Sequence, residues 1–103
     1  MAMVEVLYWH DLPVQVRAKG NAPRERASIQ LSERFQVAVD AAAMALRLTG
    51  TDAYLSLFQW GELQERPGTP HEAAAAVAAE IEAKYIGEID WHSTVAELRG
   101  PGE

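Results

Sequence analysis

Val14-Gln15-Val16-Arg17-Ala18-Lys19-Gly20-Asn21-Ala22-Pro23-Arg24-Glu25-Arg26-Ala27-Ser28-Ile29-Gln30-Leu31 decides the fold of this 103-residue chain. Two runs alternate with the period of a half-buried strand: Val14, Val16 and Ala18 point one way, as do Ala27, Ile29 and Leu31, with charged or polar residues between them. Gly20-Asn21-Ala22-Pro23 supplies turn chemistry, so the runs at 14–19 and 24–31 predict an antiparallel hairpin.

Upstream, residues 3–9 are apolar on both parities, with Val4, Val6 and Tyr8 on one side and Met3, Leu7 and Trp9 on the other. This pattern predicts a strand covered on both faces. Asp11-Leu12-Pro13 ends it, because proline lacks a ladder donor and holds its predecessor extended.

Downstream, Ser32 is a candidate N-cap, with Leu31 placed as the outer half of a hydrophobic staple and Glu33 favoured by the helix dipole. Phe35, Ala38, Val39, Ala42, Ala43, Ala45 and Leu46 form an apolar stripe, and Gly50 is placed as a left-handed C-cap, which predicts a helix over 33–49. Thr51 or Asp52 opens a short second helix to about residue 58, and residues 59–68 read as a loop ending in Pro67-Gly68. Thr69-Pro70-His71-Glu72 is the clearest start signal in the chain, a threonine cap with proline at the first helical position and glutamate placed for a capping box. The helix over 70–85 is alanine-rich, with a thin apolar edge of Ala74, Val77, Ala78, Ile81 and Tyr85, and is placed on the outside of the core. A fourth short strand over 86–91 and a last helical turn over 93–98 complete the reading.

The fold class is α+β: a small antiparallel sheet of three to four strands, running β-β-β and then helices, with two or three helices packed on one face. A single domain is expected over residues 1–98, with a flexible tail at 99–103.

Composition is that of a globular protein, with 49 % hydrophobic and 23 % charged residues. Zero cysteines exclude disulfides, thiolate metal sites and a cysteine nucleophile. The amino terminus lacks a basic region, and no stretch approaches the roughly 18 apolar residues of a membrane span. A cytoplasmic location without membrane contact is the expectation. The net charge of −6 is uneven: residues 1–50 hold six Lys/Arg against five Asp/Glu, and residues 51–103 hold three against ten. An acidic second half argues against wrapping nucleic acid.

No residue set announces catalysis. Ser28, Ser32, Ser56, Ser93 and Thr94 lie outside any strained nucleophile turn, and no glycine-rich loop is present to cradle phosphates. His10, His71 and His92 each have an acidic neighbour but lack the spacing that puts two ligands on one helix face, so neither metal nor cofactor is expected. Arg17, Lys19, Arg24 and Arg26 form the basic cluster, straddling the hairpin turn. They read as edge-strand protection or as a contact for an acidic partner or RNA, although this ribbon carries no interleaved aromatics for base stacking. Trp9, Trp60 and Trp91 read first as core; a partly exposed ring beside Asp11 would be an interface anchor.

Order and spacing also carry a resemblance. Tyr8-Trp9-His10-Asp11-Leu12-Pro13-Val14-Gln15-Val16, then Leu31-Ser32-Glu33-Arg34-Phe35-Gln36 and Asp40-Ala41-Ala42-Ala43-Met44, then Gly50-Thr51-Asp52-Ala53-Tyr54-Leu55 resemble a small bacterial domain family labelled "virulence factor" over about residues 5 to 60. The label names a phenotype and no reaction. His10 stands where the family usually has arginine, which weakens any anion-binding role built on a guanidinium. The family occurs alone and as the terminal module of a longer helical-repeat protein, which implies a non-catalytic adaptor or interaction module with a protein partner, and homo-oligomers are compatible with it. A second implication is an accessory subunit of a folate- or corrinoid-dependent one-carbon methyl-transfer system, near whose proteins stand-alone relatives are encoded. A third reading is a small-ligand binder at the Trp9, Asp11, Asp52 and Tyr54 corner. The candidate binding residues are Trp9, His10, Asp11, Asp52, Tyr54 and Trp60, where aromatic and acidic side chains stand at or beside turns.

Overall fold

Strand β1, Ala2–Trp9, is the centre of the molecule in the computed structural model, which describes residues 1–48 and 52–99. The proposed Gly50 cap and Thr51, and residues 100–103 of the proposed tail, lie outside the described residues. Strand β2, Leu12–Lys19, returns antiparallel to β1 through the two-residue turn His10-Asp11. Pro13 therefore sits inside the strand, where it was expected to end one. The register shifts beside it, Leu7 facing Gln15 and Tyr8 facing Pro13, so that Val14 bulges out. A proline without an N–H is tolerated at such an irregularity.

Strand β3, Arg26–Gln30, pairs antiparallel with β2 as the predicted hairpin, with Val16 opposite Ile29 and Arg17 opposite Ser28. It starts two residues later than expected, because a turn bond from Glu25 N to the Ala22 carbonyl (2.9 Å) holds Arg24 and Glu25 in the connection. A Cβ on Gly20 would meet the Glu25 side chain and lie 3.3 Å from Pro70 Cγ, so the turn is closely packed at this position.

Helix α1, Glu33–Ala45, buries Phe35, Ala38, Val39, Ala42 and Ala43, the predicted stripe. Its ends differ from expectation. The Ser32 side chain caps nothing in α1; its hydroxyl donates to Glu82 Oε1 instead, at 2.8 Å. At the other end Arg47 adopts φ +58°, while Leu48 N bonds to the Ala43 carbonyl (2.9 Å) and Arg47 N to the Met44 carbonyl (3.1 Å). This is a Schellman ending with arginine in the left-handed position, several residues before Gly50.

Helix α2, Asp52–Ser56, is shorter than predicted and leads into two strands where a loop was expected, β4 (Phe58–Trp60) and β5 (Gln64–Arg66). Both pair antiparallel with the second edge of β1, giving the order β3-β2-β1-β4 with β5 also on β1. Three-residue strands are too short to display a period of two; the unpaired edge of β1 specifies them.

Helix α3, Pro70–Lys84, has the predicted capping box, with Glu72 N bonded to Thr69 Oγ1 (3.1 Å) and Thr69 N to Glu72 Oε1 (3.0 Å). It lies across β1, β2 and β3, not outside the core. Ala73, Ala74, Val77, Ala78 and Ile81 are buried, and small side chains let the helix axis approach the sheet closely. Residues 86–91 form no strand. Gly87 is left-handed (φ +74°), and β4 and β5 already occupy the free edge of β1. Helix α4, His92–Arg99, ends the described chain and touches α1.

Val4, Val6, Val16 and Ala18 are at most 3 % exposed and form one core with the inner faces of α1 and α3. The opposite parity, Glu5, Arg17, Lys19 and Ser28, faces away from those helices. The fold is thus the α+β class expected, with an antiparallel sheet of five strands and four helices among the described residues.

Candidate functional site

Arg34 shows how side chains tie the elements together. At the start of α1, it donates through Nη2 to the Glu82 carbonyl (3.0 Å) and to Glu82 Oε1 (2.9 Å), and through Nη1 to the carbonyls of Tyr85 and, at 2.7 Å, Gly87. These carbonyls belong to the end of α3 and the segment after it, where helical partners run out. Glu82 in turn accepts from the Ser32 backbone N–H at 2.7 Å. Burial tends to raise the Glu82 carboxyl, but the Ser32 N–H, the Arg34 guanidinium and the Ser32 hydroxyl together hold it below the ordinary glutamate value.

The two turns carrying the candidate residues meet. The Trp9 indole N–H donates to the Tyr54 carbonyl (3.0 Å), the two rings lie 5.8 Å apart, and Tyr54 meets Phe58 edge-on at 5.5 Å. His10 N also bonds to the Leu57 carbonyl at 2.9 Å. The contact is made in the interior: Trp9 is 0 % exposed, so its ring packs the core and offers no surface to a partner.

His10 and Asp11 are exposed at the tip, His10 with a left-handed φ of +55°. His10 Nε2 lies 3.0 Å from Glu97 Oε2, and the buried Thr94 hydroxyl donates to Asp11 Oδ1. Both partners belong to α4, so the tip clamps the last described helix to the sheet. Asp52 is exposed in the first turn of α2 and makes no side-chain hydrogen bond among the described residues.

His10, Asp11 and Glu97 have ligand atoms within 4.8 Å of one another, close enough to reach one cation. All three are exposed, and all three are already engaged across the clamp, His10 with Glu97 and Asp11 with the Thr94 hydroxyl. The other histidines lie elsewhere: His71 is in the first turn of α3, and His92 stacks on Trp91 with a centroid distance of 3.9 Å.

Trp60 stands apart from that corner. On the sheet side away from α1 and α3, an open hollow of 860 Å³ is lined by Met3, Glu5, Arg17, Lys19, Arg26, Trp60 and Leu63, with the 20–23 turn at one end. Arg17 is the link across it. Its Nε donates to Glu5 Oε1 at 2.5 Å, and its guanidinium carbon lies 3.6 Å from the Trp60 ring centroid. The ribbon that lacks aromatics in sequence acquires one from β4. Trp60 is 36 % and Leu63 48 % exposed. Ser28, a hydroxyl in the hollow, pairs with the Gln15 amide rather than with a base.

Sequence reasoning placed the cations but not this surface. Glu5 and Leu63 were missed; Glu5, the one charged residue of β1, is the signal that marks the outer parity of the strand, and the register sets it opposite Arg17. Among the described residues, no helix is long and apolar enough to cross a membrane.

No curated protein and no solved structure matches the chain. The family described as "Virulence factor" does, over residues 7–88. That span contains the end of β1, strands β2 to β5 and α1 to α3; it extends well beyond residue 60, where the recognised motifs end, and stops before α4. With most of its sheet and three of the four described helices inside the matched span, this chain belongs to the virulence factor family.

Proposed function

We propose that this domain is a non-catalytic protein-interaction module that docks on a larger protein through the sheet side away from α1 and α3. One observation carries the reading: the hollow there combines partly exposed Trp60 and Leu63 with the cations Arg17, Lys19 and Arg26. Aromatic and arginine side chains beside apolar area make up the energetic centres of protein interfaces, whereas a catalytic pocket needs a nucleophile or acid held beside a base. The clasp of Arg17 on Trp60 holds the ring in one orientation before a partner arrives, which lowers the ordering cost of association.

Site-specific photocrosslinking in cells tests this. Benzoylphenylalanine placed at Leu63 should form a discrete protein adduct, and the same group at His71, on the first turn of α3, should not. Adducts from His71 alone, or none from Leu63, would refute docking on this side.

A further inference from the structure

The rim of the hollow differs in sign from the rest of the molecule. Glu5 and Arg17 neutralise each other, while Lys19 has no ion pair among the described residues and Arg26 donates only to the Pro23 carbonyl, at 3.2 Å. The chain as a whole carries −6. Two uncommitted cations therefore stand on the rim of the hollow in a molecule of acidic net charge, beside the apolar atoms of Met3, Trp60 and Leu63. Such an island attracts a complementary anionic group within a Debye length of about 8 Å at physiological salt and rejects cationic partners by like-charge repulsion.

The shape adds a length. The hollow runs from β3 across β2 and β1 to β4. At about 4.8 Å between strands this is roughly 14 Å, the reach of about four extended residues at 3.3 Å each.

We propose that the occupant is a short extended segment of a partner protein, with acidic side chains on Lys19 and Arg26 and an apolar side chain against Trp60 and Leu63. This inference rests on the interaction-module reading and names the chemistry of its partner. Single-stranded nucleic acid fits less well. Its affinity depends on neutralising successive phosphates and stacking successive bases, and the hollow offers two free cations, one aromatic ring and aliphatic surface.

Panning a phage-displayed random dodecapeptide library on the immobilised chain tests the inference, followed by anisotropy titrations of the selected peptides with fluorescein labels. Enriched peptides should carry at least two Asp or Glu residues next to Leu, Ile, Phe or Trp, and should weaken at least threefold between 50 and 300 mM salt. The double variant Lys19→Glu, Arg26→Glu changes only exposed side chains and should keep the wild-type melting curve, yet bind these peptides at least tenfold more weakly. Peptides that bind the double variant equally well would overturn the site and leave the module reading standing. Tighter binding of fluorescein-labelled dT12 than of any selected peptide would overturn the inference and the module reading together. A concentration-dependent dimer of the wild-type chain that the double variant abolishes would assign the hollow to a second copy and overturn both the inference and docking on a larger protein through this side.

Discussion

The Arg17 guanidinium lies 3.6 Å from the centroid of the Trp60 ring, joining β2 to β4 over the intervening strand β1. Arg17 also pairs with Glu5 on β1, so one side chain fastens three strands on the exposed side of the sheet. An exposed cation–π contact contributes about 0.5–1 kcal/mol. A double-mutant cycle of Arg17→Ala and Trp60→Ala, read in urea melts, should return a coupling of that size. A coupling indistinguishable from zero would show that the contact does not hold Trp60 in place.

Val16 and Ile29 face each other across β2 and β3, but Val16 is 0 % exposed and Ile29 is half-buried on the edge strand. Val16→Asp should therefore cost about 3 kcal/mol or more, because it buries an unpaired charge, and Ile29→Asp distinctly less. Equal losses in chemical denaturation would contradict this burial pattern.

Arg47 occupies the left-handed position that ends α1 and is exposed. A non-glycine residue there carries a penalty of about 1 kcal/mol relative to glycine. Arg47→Gly should raise stability by about that amount despite glycine's greater freedom in the unfolded chain. A lower melting temperature for this variant would mean that the helix ends elsewhere.

Glu82 gives stability a dependence on acid. Its carboxyl is held below the ordinary value of 4.5 in the folded state, so its contribution is fully present above that value and is lost as pH falls through the lower, folded one. The urea midpoint should fall between pH 5 and pH 3, and Glu82→Gln should shrink that fall while lowering the midpoint at pH 7. An unchanged pH profile in the variant would remove Glu82 from the acid response.

Thr94 is 1 % exposed, and its hydroxyl donates to Asp11. Asp11→Ala leaves that buried hydroxyl without its partner and should cost about 1–3 kcal/mol, whereas Asp11→Asn keeps an acceptor oxygen and should cost under about 1 kcal/mol. Loss of α4 protection in amide exchange should accompany only the alanine variant. Equal behaviour of the two would show that the bond does not hold α4.

Local chemistry was readable without coordinates wherever neighbours in sequence are also neighbours in space. The alternation of Val14 to Leu31 predicted the hairpin and put Val16 and Ile29 on its inward side, as the structure has them. The Thr69 and Glu72 spacing predicted the capping box, and the stripe from Phe35 to Ala43 predicted the buried face of α1. The three-residue strands β4 and β5 carried no periodicity to read, and Gly50 drew the end of α1 too far along the chain.

Among the candidate site residues, the sequence identified turns with aromatic and acidic character but not their exposure. Trp9 and Trp60 look alike there, each beside a predicted turn, yet one is wholly buried and the other clasped at the surface. The sequence by itself determined the family, the α+β class, the hairpin and the helix starts, because these follow from propensity, period and spacing over a few residues. Only the tertiary structure decided that β4 and β5 close the second edge of β1, that Asp11 fastens α4, and that Trp60 joins the basic ribbon. Those outcomes depend on which long-range partner satisfies an unpaired edge, a buried hydroxyl or an exposed guanidinium, and that selection is made by the packing of the whole chain.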